Sequence, residues 1–110
     1  MKIYTGQGDN GQSGLFSGER VSKAHPLLRA YGTLDECNSQ LGVALAATPA
    51  ADVRDALVAL QPLLFDAGAD LATLGSKRQI RRIVPDDSTE IERNIDAVTA
   101  RLPKLRSLIL

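Results

Sequence analysis

P-L-L-R-A-Y-G-T-L-D-E-C-N-S-Q-L-G-V-A-L-A-A, residues 26–47, reads as one amphipathic helix. Leu28, Tyr31, Leu34, Cys37, Leu41 and Leu45 recur at steps of three and four, which lines them along one face. Pro26 suits a first helical position, where no amide hydrogen is needed. Thr48-Pro49 stops the helix, because the residue before a proline avoids the helical region. On the other side Asp35, Asn38, Ser39 and Gly42 fall at i, i+3, i+4 and i+7, a narrow strip of small and polar residues. Gly32 sits one turn earlier. A glycine inside a helix costs about 1 kcal/mol relative to alanine, so this strip is expected to admit a second helix or a ligand. Glu36 reads as a solvated residue. Cys37 falls on the apolar face and reads as a small core residue, since no basic partner that would activate a thiol is near in sequence.

Outward toward the N-terminus lies Y-T-G-Q-G-D-N-G-Q-S-G-L-F-S-G-E-R-V-S-K, residues 4–23. Five glycines alternate with Thr5, Ser13, Ser17 and Ser22, and Arg20 and Lys23 close the stretch. Glycine lets backbone amides approach an anion, hydroxyls donate to phosphate oxygens, and Arg and Lys neutralise them. The composition is that of a polyphosphate cradle. It matches neither G-x-x-x-x-G-K-[ST] nor G-x-G-x-x-G after an apolar strand. The same residues also read as a floppy arm or a short hairpin, because Asn10-Gly11 is a strong turn signal.

Outward toward the C-terminus, a second helix is expected over residues 51–74, with Val53, Leu57, Leu60, Leu64, Leu71 and Leu74 as its stripe. Pro62 interrupts it at a cost of about 3 kcal/mol, which predicts a kink or a restart. Asp66 and Asp70 form an i, i+4 carboxylate pair, of a kind that can bind a cation or act as acid and base; a polar helix face or a helix–helix hydrogen bond is expected instead. Residues 75–87, with Lys77, Arg78, Arg81 and Arg82, read as a mobile, solvated linker that Ile80, Ile83 and Val84 anchor in part. A third helix should begin near Asp86 to Ser88, which are capping residue types, and carry Ile91, Ile95, Val98 and Leu102 as a heptad-like seam up to Pro103. Leu105, Leu108, Ile109 and Leu110 open a further apolar segment. Left as it stands, that segment would expose a strip of leucines, so these helices are expected to be completed by something else.

The whole chain has 110 residues, enough for one domain. Thirteen basic residues balance thirteen acidic ones, which argues against a nucleic-acid surface or a polybasic membrane anchor. At 44% hydrophobic and 4% aromatic, the core must be aliphatic. One cysteine and one histidine leave no disulfide framework and no His- or Cys-based metal site, and a reducing, cytoplasmic compartment fits.

Taken together, residues 5–23, then A-Y-G-T-L-D-E-C-N-S-Q-L-G (30–42), L-F-D-A-G-A-D-L-A-T (64–73) and L-P-K-L-R-S-L-I-L (102–110) resemble the PduO-type ATP:cob(I)alamin adenosyltransferases. The resemblance spans residues 2–110 and is weakest over 50–60 and 76–80. It implies an all-α, up-and-down helical bundle that forms a homotrimer. Three helices and the start of a fourth would be present as one domain, with residues 1–25 as the phosphate-binding loop and 26–110 as the bundle portion. It further implies that Thr5, Gly6, Gln7 and Gly8 embrace the triphosphate of ATP, with Ser13 and Gly14 further along. Asp9 and Gly11 would shape the loop, and Lys23, with Arg20 nearby, would neutralise charge. Asp35 would pair with an arginine of the neighbouring subunit, and Asn38 would line the same strip. The implied reaction is attack of cobalt(I) on the 5′-carbon of ATP with loss of triphosphate, assisted by Mg²⁺. Relatives carry a further helix with R-x-x-x-R-R-x-E-R, which is absent here, and often a Phe where Leu108 stands. The alternatives are a non-catalytic ATP- or corrinoid-binding module and a helical oligomerisation fragment.

Overall fold

The computed structural model of the chain describes residues 1–104, 106 and 107. Its elements are a hairpin of β1 (Gln12–Gly14) and β2 (Arg20–Ser22), followed by α1 (Pro26–Ala46), α2 (Ala51–Ala72) and α3 (Pro85–Thr99). The helical bundle expected from the sequence is there, with the small hairpin added at its N-terminal end. The expected fourth helix falls largely on Leu105 and residues 108–110, outside the described residues.

The hairpin is antiparallel, with Gln12 opposite Ser22, Ser13 opposite Val21 and Gly14 opposite Arg20. The strands turn at residues 15–19 rather than at Asn10-Gly11. Leu15 N donates to Glu19 O and Gly18 N donates to Leu15 O, with Gly18 at φ +96°. That is a three-residue loop closed by a left-handed glycine, a geometry that matches the natural twist of paired strands. Asn10-Gly11 makes a separate tight turn before β1, where Gly11 N donates to Gly8 O.

His25 caps α1 by accepting from Leu27 N through its Nδ1, and Pro26 takes the first helical position. Thr48, at φ +53°, and Pro49 end the helix and turn the chain back. α1 and α2 then pack antiparallel. Asn38 meets Gln61, while a Cβ built on Gly68 lies 3.8 Å from Tyr31 and one on Gly42 lies 3.7 Å from Gln61. Small residues thus let the two helices come close. Pro62 neither breaks nor restarts α2, which runs unbroken to Ala72. Packing on α1 and the hydrogen bonds at Gln61 hold the turn where the proline removes one amide.

α3 begins two residues earlier than its capping types suggest. Val84 is the cap, Pro85 follows at the first helical position, and the Asp87 carboxylate reaches back to accept from Val84 N at 2.8 Å. Its far end returns to the start of α2, where Arg101 pairs with Asp52 at 2.8 Å. The core is thin. Among the described residues only Leu15 and Thr73 are buried, whereas Ile95 and Leu102 of the expected α3 seam stand open. Cys37 is exposed rather than in the core, because α2 covers the adjacent strip through Asn38 and Gly42.

Candidate functional site

The glycine stretch folds as a chain of tight turns ending beside the N-terminus of α1. Thr5 Oγ1 accepts from Gln7 N at 3.3 Å, and Asp9 N donates to Gly6 O at 3.2 Å. Gly6 needs its φ of +69°, which a side chain would strain. Arg20 reaches back across the hairpin and donates to the Gln7 carbonyl at 2.7 Å. Lys23 N donates to Gly11 O at 2.8 Å, and the Lys23 side chain lies over Gly8. A Cβ built on Gly8 would stand 3.3 Å from Lys23 Cε, Lys23 Nζ and Gln12 O. Thr5, Gly6, Gln7, Gly8, Asp9, Arg20 and Lys23 are therefore gathered by backbone hydrogen bonds and one guanidinium.

Ser13 and Gly14 sit on β1, and Ser13 shares with Lys23 an open groove of about 480 Å³ against α1. Arg29, Thr33 and Glu36 line its far wall. Arg29 and Thr33 escaped the sequence reading, which followed the apolar stripe, and Glu36 was read only as a solvated residue. The signal for them was their own i, i+4, i+7 spacing, one helical face away. The groove sets two cations, Lys23 and Arg29, beside one carboxylate, which suits an anion larger than a single carboxylate.

Asp35 and Asn38 lie elsewhere on α1, on the wall of a second groove of about 660 Å³ between α1, α2, the hairpin tip and the α2–α3 linker. Its lining is mostly apolar and includes Phe16, Tyr31, Leu64 and Phe65. Asp35 is exposed. Asn38 is tied into the helix pair: its Nδ2 donates to Gln61 O at 3.1 Å, and Gln61 Nε2 donates to Asn38 O at 3.3 Å. Asn38 Oδ1 is buried and without a partner among the described residues. The strip seen in the sequence is thus divided, with Asn38 and Gly42 serving the α2 contact and Asp35 remaining open.

The linker is anchored where the sequence suggested a solvated loop. Arg82 Nη1 donates to the Asp70 carboxylate at 2.5 Å, to Thr73 Oγ1 at 2.9 Å and to the Asp70 carbonyl at 3.3 Å. It places a cation at the C-terminal end of α2, whose own last turn holds none. Arg81 bridges Asp66 and Asp87 and so joins α2 to the start of α3. The Arg82 hydrogen bond, with that from Ile83 N, holds the Asp70 carboxyl below its ordinary value. The Val84 amide and then Arg81 do the same for Asp87, and Asp87 raises Arg81. Asp66 and Asp70 are thereby committed to holding the linker.

Residues 3–110 match the sequence model of a family described as cobalamin adenosyltransferase. The chain belongs to the cobalamin adenosyltransferase family. Its relatives include a corrinoid adenosyltransferase of Citrobacter freundii, 41% identical over 99% of this chain and 63% of that protein. One of Bacillus subtilis is 40% identical over 100% of this chain and 58% of that protein. Among solved structures, a variant of a PduO-type ATP:corrinoid adenosyltransferase from Lactobacillus reuteri, complexed with cobalamin and ATP, superposes with a TM-score of 0.88. It is 32% identical and is matched over 99% of this chain and 62% of its own. The chain thus spans less than two thirds of the length of these relatives. No helix among the described residues is long and apolar enough to cross a membrane.

Proposed function

We propose that this chain carries the nucleotide-cradling part of an enzyme that transfers the 5′-deoxyadenosyl group from ATP to cob(I)alamin, giving adenosylcobalamin and triphosphate. The observation that carries the reading is the Lys23 ammonium held over Gly8 beside Ser13, within a family whose solved member binds ATP and cobalamin. In this reading Gly6, Gly8 and the hydroxyls of Thr5 and Ser13 surround the triphosphate, while the Gln7 and Asp9 amides, bonded to Thr5 Oγ1 and Gly6 O, hold the shape of the loop. Gly14 leaves room at the strand, Lys23 neutralises charge, and Arg20 holds the loop through Gln7. Asp35 faces a neighbouring subunit of a homotrimer, and Asn38 fixes α1 on α2 beside the apolar groove.

The reaction forms a cobalt–carbon bond at C5′ and breaks the C5′–O bond, whose electron pair leaves with triphosphate. Charge gathers on the leaving group, so a pre-placed cation stabilises the transition state more than the ground state. No proton needs to move at the reacting carbon, and the grooves hold no thiol or imidazole that would move one. No cluster of three or more ligating side chains is present among the described residues. Bound with its water to phosphate oxygens, Mg²⁺ would neutralise triphosphate charge. The exposed thiol of Cys37 is compatible with the reducing cytoplasm that a cobalt(I) substrate demands.

The test is anaerobic conversion of cob(I)alamin and MgATP to adenosylcobalamin by the full natural protein, followed by its visible spectrum. Turnover is expected, and Lys23→Ala should weaken MgATP binding. An active wild type whose Lys23→Ala variant binds MgATP normally would sink the cradle assignment. No adenosylation at all would sink the function.

A further inference from the structure

We propose that Arg78, on the α2–α3 linker, is a positioning residue for the glycine cradle, acting through the ring of Phe16. The effect on nucleotide rests on the function proposed above; the clasp itself does not.

Phe16 sits at the tip of the hairpin and is half in solvent, whereas its neighbour Leu15 is buried. The Arg78 guanidinium lies over its ring, 4.7 Å from the centroid, within cation–π range. Sequence separation makes this a tertiary contact between the N-terminal loop and a linker that begins after α2. A contact of this kind positions its partner only if its own base is fixed, and here it is. Arg78 N donates to Ser76 Oγ at 3.1 Å, and Ser76 N donates to Thr73 O at 2.9 Å. Thr73 is fully buried at the end of α2 and accepts from Arg82. Arg81 ties the following turn to Asp66 and Asp87. The linker is a strap riveted on the helices, with Arg78 as its free arm.

On the other side, the hairpin transmits position to the cradle. From the Leu15–Glu19 pair the ladder runs through Gly14–Arg20 to Gln12–Ser22. Arg20 grips the Gln7 carbonyl and the Lys23 amide grips Gly11. Among the described residues the two short strands pair only with each other, and a lone hairpin is marginal in water. Pinning its tip against the linker therefore narrows the range of positions open to Gln7, Gly8 and Lys23. Pre-ordering of this kind raises affinity by lowering the ordering cost of binding.

The test uses Arg78→Met, which keeps the stem and removes the charge, Phe16→Leu, which removes the ring, the double variant, and Arg78→Lys. Amide hydrogen exchange at Leu15 and Gly18, without nucleotide, reads the clasp, and MgATP affinity by calorimetry reads its consequence. Each single change should speed exchange and weaken MgATP binding by about twofold to fivefold, the size of an exposed cation–π contact. The double variant should be no worse than either single one, Arg78→Lys should restore most of the loss, and the Tm without nucleotide should stay put. Unchanged exchange, additive single effects, or a Tm fall in step with the affinity loss would each overturn the proposal. A wild type that ignores MgATP would remove the proposed function, and the exchange rates would still decide the clasp.

Discussion

Gly8→Ala separates the shape of the cradle from its stability. Gly8 is not in the left-handed region, so alanine suits its backbone and should gain about 0.4–1 kcal/mol by stiffening the unfolded chain. Against that stands crowding. The added methyl would sit 3.3 Å from Gln12 O and equally close to Lys23 Cε and Nζ. Gln12 O belongs to the β1 backbone and yields little, whereas the lysine tip rotates freely. The strain therefore relaxes by moving the Lys23 tip a few tenths of an ångström off the loop. Loss of a lysine–phosphate hydrogen bond costs about 1.5–3 kcal/mol, one to two orders of magnitude in affinity, which Lys23→Ala should show in full. Gly8→Ala should lose part of this, about twofold to fivefold, with Tm unchanged or slightly raised. Because both changes act on one ammonium group, the double variant should bind MgATP no worse than Lys23→Ala alone. Calorimetric titration with MgATP and thermal unfolding of the same samples make the comparison. Full affinity in Gly8→Ala, or losses that add in the double variant, would refute the placement of Lys23 over the cradle.

Thr73→Val keeps the shape of a fully buried side chain but removes the acceptor for Arg82 and the hydroxyl bonded to α2 carbonyls. It should destabilise by about 1–2 kcal/mol, several degrees of Tm in thermal unfolding. Asp70 and Asp87 have folded values below the ordinary 3.8, so their contribution is complete above that pH and is lost as pH falls through the folded values. Acid unfolding monitored by circular dichroism should therefore steepen below 3.8, and Asp70→Asn should flatten that limb. Cys37→Ala should change stability by less than about 0.5 kcal/mol in denaturant titration, because the thiol is exposed.

The helices were legible because their apolar residues keep a helical period, and α1 was bounded well by Pro26 and Pro49. The glycine turns were legible as turns from composition, yet their hydrogen-bond pattern was not. The hairpin closes at Gly18, whereas the stronger local signal lay at Asn10-Gly11. A local dipeptide can propose a turn, but strand pairing across residues 12–22 decides which turn joins strands. The linker arginines were misread for the same reason. A run of cations looks solvated until α2 and the N-terminus of α3 bring Asp66, Asp70 and Asp87 against it. Asn38 was placed on the right strip, but Gln61, more than twenty residues away, engages its amide.

Three glycines of the helices divide the bundle's open surface from its covered one. The accessible surface is 8870 Å², against about 5,900 Å² for a compact monomer of this mass. The radius of gyration is 17.7 Å, where about 13 Å is usual for this length. At Gly42 and Gly68 the missing side chain is accounted for, since Gln61 and Tyr31 of the facing helices close over them. At Gly32 it is not: among the described residues, no atom beyond its immediate neighbours and its own helix lies within 4 Å of a Cβ built there. A helix retains such a glycine at a cost of about 1 kcal/mol only where the space has another use. Gly32 lines both the groove that holds Lys23 and the apolar groove that holds Asp35. The space it keeps open therefore lies where the cationic side of α1 meets its apolar side.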